Sequence, residues 1–95
     1  MAAIGVLTLE IRVEHAQSLK DKRQWVKGLK DRLRRSFNVS VAEVDGQDTW
    51  QRSTVAAVTV SSHKIYAQQL LEEAEREAAN FLGPNLVSTD IDFVE

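Results

Sequence analysis

The feature that most restricts how this 95-residue chain can fold is its hydrophobic period, which runs from two to 3.6, returns to two for two successive stretches, then goes to 3.6 and back to two. A period of two sets alternate residues on one face of a strand, and a period near 3.6 sets every third or fourth residue on one face of a helix. From Ile4 to Glu14, Leu7, Leu9, Ile11 and Val13 share one face while Val6, Thr8, Glu10, Arg12 and Glu14 share the other. That is a strand with one buried side. The polar run His15-Ala16-Gln17-Ser18 leads into a helix with Ser18 at its N-cap and Asp21 placed as in a capping box. Leu19, Val26, Leu29 and Leu33 form the core stripe of that helix. Gly28 interrupts the pattern at a cost of about 1 kcal/mol relative to alanine, which predicts a packing reason such as close approach to a strand.

Val39, Val41 and Val44 continue as a strand, and Asp45-Gly46 signals a turn before a polar stretch that ends at Arg52. The valine- and alanine-rich segment from Ser53 to Ser62 reads as a central strand, so the two form a hairpin with an elaborated tip. A second helix starts near Ser62 and His63, points Ala67, Leu70, Leu71, Ala74, Ala78 and Phe81 at the core, and stops at Gly83-Pro84. Val87, Thr89, Ile91 and Phe93 alternate on one side of a last strand. The order β-α-β-β-α-β with right-handed crossovers predicts an α+β ferredoxin-like sandwich, a four-stranded antiparallel sheet with both helices on one face. In this reading the first and third strands lie side by side at the centre and run parallel, and the open face presents Thr8, Glu10, Arg12, Ser88, Asp90 and Asp92.

The length fits one domain spanning residues 1–95. With no cysteine, the chain can build neither a disulfide framework nor a thiol nucleophile. Residues Met1 to Gly5 lack a basic segment, and Thr8, Glu10 and Arg12 break the apolar stretch that follows. No run approaches the roughly 18 apolar residues of a membrane span. The expectation is a soluble cytoplasmic protein with no membrane partner and no cofactor.

Charge is spread unevenly. The net charge is −2, yet eight of the 12 basic residues lie between Lys20 and Arg35, where only Asp21 and Asp31 oppose them. Lys20, Arg23, Lys27, Lys30 and Arg34 recur at spacings of three and four and make a ridge along the first helix, with Lys22 beside it. Lys20, Lys22 and Arg23 fall in or near the first turn, where the helix dipole disfavours cations. Helix stability did not select them, so phosphate of a nucleic acid or small molecule is one reading. The other is a solvated face, or salt bridges to Glu72, Glu73, Glu75 and Glu77 of the second helix.

At the hairpin tip, Trp50 stands among polar residues, with Gln51 and Arg52 beside it. It either lies on a contact surface or folds back over the core of the hairpin. Trp25 flanks the core stripe as a core-edge residue. His15 and His63 follow the first and third strands, which the predicted topology makes neighbours, and with Glu14 they offer three potential ligands but no persuasive metal site. No nucleophile elbow or glycine-rich phosphate loop is present. The central strands also lack the aromatics that stack on bases in RNA-recognition motifs.

Ser18-Leu19-Lys20-Asp21-Lys22-Arg23, Phe37-Asn38-Val39-Ser40-Val41-Ala42-Glu43-Val44 and Asp48-Thr49-Trp50-Gln51-Arg52, in this order, resemble the YlxP-like family of small bacterial proteins of unknown function. The resemblance implies a ferredoxin-like fold, a bacterial cytoplasmic setting and no established activity. Such proteins are often encoded near translation and ribosome-assembly genes, which implies an RNA or ribosome connection. The leading expectation is a non-enzymatic binding protein, a candidate homodimer, whose Lys20, Lys22, Arg23, Lys27, Lys30 and Arg34 contact phosphate of ribosomal RNA or a ribosome-assembly particle. The alternative is a dimeric regulatory or scaffold module anchored on a protein partner by Trp50, Gln51 and Arg52, and an enzyme is the third reading.

Overall fold

Alternation in the first segment has the expected consequence: Leu7, Leu9 and Ile11 are buried along β1 (Ala3–Arg12), with Val13 buried just beyond its end. The computed structural model describes residues 2–94, and Met1 and Glu95 lie outside the described residues. After β1 come α1 (Leu19–Ser36), β2 (Ser40–Asp45), β3 (Arg52–Ser61), α2 (Lys64–Leu82), a short 3-10 turn (Gly83–Asn85) and β4 (Leu86–Val94). The sheet order is β2-β3-β1-β4. Val26, Leu29 and Leu33 of α1 and Leu71, Ala74, Ala78 and Leu82 of α2 pack in one core with Leu7 and Leu9 of β1 and Val55 and Ala57 of β3. The βαββαβ ferredoxin-like architecture is therefore as predicted.

Strand direction is not. β1 pairs with β3 antiparallel, Leu7 opposite Ala57 and Arg12 opposite Arg52, rather than parallel. The reason is directional: a helix crossover makes β2 parallel to β1, and the hairpin then reverses β3. His15, after the end of β1, and His63, after the end of β3, consequently sit at opposite ends of the sheet instead of side by side. No cluster of three metal-ligating side chains occurs among the described residues.

Two packing expectations also change. A Cβ on Gly28 would lie 2.8 Å from Cζ of Phe81, so the glycine admits α2 rather than a strand. In β4 the pairing jumps from Ser88 opposite Glu10 to Leu86 opposite Ile11. This bulge lets Leu86 pack on the core and turns Val87 out to 61 % exposure. None of the helices among the described residues is long and apolar enough to cross a membrane.

Candidate nucleic-acid interface

The ridge begins at a helix start fixed by its own sequence. Ser18 Oγ accepts a hydrogen bond from the Asp21 amide at 3.2 Å, and Asp21 Oδ2 accepts one from the Gln17 amide at 3.1 Å. The return bond thus lands one residue before the cap, a capping box displaced by one position. With the helix phase set, Lys20, Arg23, Lys27 and Arg34 are exposed and Lys30 is half-buried.

Their partners differ. Lys27 Nζ lies 2.7 Å from Asp31 Oδ2, one turn on, and this hydrogen bond is the main cause holding the Asp31 carboxyl below its ordinary pKa. Arg34 Nη2 donates to the Val41 carbonyl at 2.7 Å and ties the end of α1 to β2. Among the described residues, Lys20, Arg23 and Lys30 have no ion-pair partner. The acidic residues of α2 do not quench the ridge: Glu77 pairs with Arg32 at 3.3 Å, off the ridge, while Glu72 and Glu75 accept hydrogen bonds from Gln68 and Thr89.

Lys22 must be removed from the proposed phosphate contacts. Its side chain is fully buried, and Nζ donates to Glu43 Oε2 at 3.0 Å and to the Gly46 carbonyl, with the Gln47 and Arg52 carbonyls each at 3.5 Å. Glu43 also accepts from Ser53 Oγ, so the buried ammonium and the carboxylate each have several partners. This lysine holds both strands of the β2–β3 hairpin from below. No phosphate can reach it. The signal was present in the sequence: the stripe Leu19, Val26, Leu29, Leu33 lacks a member between 19 and 26, and position 22 fills it; Glu43 alternates with Val41 on the core side of β2.

Above that anchor the hairpin tip is pinned at both ends. Gly46 adopts φ +83°, and its carbonyl accepts from the Thr49 amide at 3.0 Å. Gln51 is committed to the fold, its carbonyl accepting from the Val13 amide at 2.8 Å and its Nε2 donating to the Glu14 carbonyl at 3.1 Å. Arg52 Nη1 lies 3.7 Å from Asp45. Trp50 is left 54 % exposed, so it does not fold back over the hairpin core. Trp25, as expected of a core-edge residue, packs on Phe81 with ring centroids 5.4 Å apart, and the Arg32 guanidinium lies 4.5 Å from the Phe81 centroid.

Comparison with known proteins agrees with this architecture. Residues 4–91 match the model of a family described as a protein of unknown function, DUF503. Over 69 residues the chain is 38 % identical to the uncharacterized protein YlxP of Bacillus subtilis strain 168, covering 73 % of this chain and 75 % of that one. The de novo designed protein Foldit4 superposes over 100 % of this chain and 98 % of its own at TM-score 0.61 and 14 % identity. A Bacillus subtilis protein, YXEP, described as a dinuclear metal-binding peptidase of the M20 family, matches 98 % of this chain but 26 % of its own, at TM-score 0.53 and 14 % identity. A dimeric ferredoxin-like protein of unknown function from Thermobifida fusca covers 96 % of this chain and 90 % of its own at TM-score 0.50 and 12 % identity. At these identities the structural matches describe the fold alone.

Proposed function

Since this chain belongs to DUF503, a family of proteins of unknown function, we propose its role from its surface: a non-enzymatic RNA-binding protein that contacts phosphate through the solvent face of α1. The observation that carries this reading is the set Lys20, Arg23 and Lys30, three cations on one helix face without an ion-pair partner among the described residues. Lys27 joins them because an exposed pair one turn apart is worth only about 0.3–0.5 kcal/mol and exchanges readily for a phosphate. Lys20 stands in the first turn of α1 and Arg23 just beyond it, against the dipole. An anion placed there relieves that repulsion. Such contacts read backbone and shape rather than sequence, which suits structured RNA. Ribosomal RNA, free or in an assembly particle, is the substrate we favour.

The test is a direct shift assay with structured ribosomal RNA, comparing wild type with Lys20→Ala/Arg23→Ala/Lys27→Ala/Lys30→Ala. The four-site variant is expected to lose at least tenfold in affinity at about 100 mM salt. Equal affinity of the two proteins would reject the proposal. A second reading rests on Trp50, an exposed aromatic on a tip that Lys22 and Gln51 hold in place. Pre-ordered exposed tryptophans are typical protein anchors. Loss of a protein partner in Trp50→Ala, with RNA affinity unchanged, would favour it.

A further inference from the structure

Trp50 is the largest of the exposed apolar side chains, and no ring or cation stacks on it among the described residues. Its backbone is nonetheless held on both sides. Lys22 Nζ donates to the Gly46 carbonyl and lies 3.5 Å from the Gln47 and Arg52 carbonyls, and the Gly46 carbonyl also accepts from the Thr49 amide at 3.0 Å. Gln51, next in sequence, is bonded through its carbonyl and its side chain to Val13 and Glu14. An aromatic presented on so fixed a segment gives up little freedom when a ligand covers it.

The same lysine places the tip at one end of the cationic ridge. Lys22 is near the start of α1 and points inward beneath the tip, whereas Lys20 and Arg23, about 160° and 100° around the helix from it, are exposed. Trp50 is two residues from Arg52, about 7 Å at most between α-carbons, and the Arg52 carbonyl is 3.5 Å from that buried ammonium. From there the ridge runs away from the tip, ending at Arg34 on the Val41 carbonyl of β2. Lys20 and Lys30 are separated by about 15 Å of helix, and no aromatic residue stands on the ridge between them: Trp25 lies on the other side of α1, packed on Phe81.

We propose that Trp50 stacks on an unpaired base of the RNA whose phosphates α1 holds, so that the ligand is a duplex flanked by single-stranded nucleotides; the inference rests on the RNA-binding reading. The ridge offers charge without a stacking surface, which suits the backbone of paired RNA, and the tip offers a stacking surface with little positive charge, which suits a splayed base. The acidic residues around the tip sharpen that division. Glu43 is paired with Lys22, and Asp45 with Arg52 at 3.7 Å, but Asp48 and Glu14 are exposed and have no ion-pair partner among the described residues. They keep phosphate off the tip and leave the indole face to an uncharged ring. A nucleobase also fits better than a protein surface does, because protein hot spots depend on packed neighbours that exclude water. Trp50 is the sole apolar side chain between Asp45 and Arg52.

A direct shift assay at about 100 mM salt tests it with two RNAs: a blunt duplex of about 16 base pairs, and the same duplex with adenosine tails of about four nucleotides at both ends of one strand. Wild type is expected to bind the tailed RNA about 5- to 150-fold more tightly. Trp50→Ala should lose that preference while keeping wild-type affinity for the blunt duplex and the wild-type salt slope, because no charge is removed. Trp50→Phe retains an aromatic face and should keep most of the preference, and Trp50→Leu, apolar but unable to stack, should lose it; circular dichroism confirms that each variant is folded. Equal affinity of Trp50→Ala and wild type for the tailed RNA would overturn the inference, leave the ridge reading standing and return Trp50 to a protein partner. A Trp50→Leu protein that keeps the preference would overturn it as well. A wild-type protein that binds neither RNA would overturn this inference together with the reading beneath it.

Discussion

Replacing Lys22 by methionine is the perturbation to which this fold should be most sensitive among its polar residues. Methionine fills much of the same volume, so the change isolates the ammonium. What it removes is a fully buried cation with Glu43 at 3.0 Å and three backbone carbonyls around it. What it leaves is a Glu43 side chain 15 % exposed, held only by Ser53 Oγ, beside carbonyls of the hairpin that have lost a donor. Breaking a buried pair by deleting one partner costs about 3–5 kcal/mol, and the residual access of water to Glu43 places this case near 3 kcal/mol. A domain of this length has about 5–14 kcal/mol in total, and about 3 kcal/mol corresponds to a fall of roughly 12–24 °C in Tm. Urea unfolding followed by circular dichroism measures it. Replacing both partners, Lys22→Met/Glu43→Leu, should cost less than the sum of the single changes by more than about 1 kcal/mol, because no charge is then stranded. A Lys22→Met protein within about 1 kcal/mol of wild type would refute the assignment of Lys22 as the internal strut of the hairpin.

Gly28→Ala gains about 1 kcal/mol of helix propensity but drives a Cβ to 2.8 Å from Phe81 Cζ, a ring already held between Trp25 and Arg32. Overpacking of about 1–3 kcal/mol outweighs the gain, so Tm should fall, and Gly28→Ala/Phe81→Leu should recover the loss. At Gly46, φ is +83° and an added Cβ would stand 2.6 Å from the Arg52 carbonyl oxygen, so alanine meets both an unfavourable backbone region and immovable backbone. Gly46→Ala should cost at least about 2 kcal/mol in urea unfolding. The Asp31 carboxyl titrates below its ordinary value because Lys27 hydrogen-bonds it, so its contribution to stability is present above the unfolded pKa and fades as pH falls through the lower folded one. A carboxyl-detected NMR titration should show the Asp31 pKa rising toward the ordinary value in Lys27→Ala.

The parts of the fold that the sequence made legible are those set by a single element's own period. Leu7, Leu9 and Ile11 needed only alternation, Val26, Leu29 and Leu33 only helical spacing, and Ser18 only its place before Asp21. What was missed depends on pairs of elements. Lys22 looks like one more surface cation until the stripe of α1 and the core side of β2 are laid together, when its position against Glu43 becomes plain. Gly28 makes room for Phe81, 53 residues along the chain. The bulge that turns Val87 outward is a property of the β1–β4 pairing and leaves no mark in the alternation of β4 alone. The direction of β3 was available from counting reversals along the chain, and with it the separation of His15 from His63. On the candidate site, four of the six expected phosphate contacts, Lys20, Arg23, Lys27 and Lys30, lie on α1 outside the core, while Arg34 is bonded to the Val41 carbonyl and Lys22 is buried, so both of these serve the fold. Of the three residues at the hairpin tip, Gln51 also serves the fold, while Trp50 is exposed.

The measurement that bears most directly on the central claim is the salt dependence of RNA binding by wild type and by the Lys20/Arg23/Lys27/Lys30 alanine variant. Four neutralised phosphates give a slope of about −2.8 to −3.6 in log K against log salt. Wild-type affinity should therefore fall by roughly 50- to 150-fold between 50 and 200 mM salt, and the variant's slope should be flat or nearly so. Equal slopes for the two proteins would show that α1 does not hold the phosphates and would contradict the account.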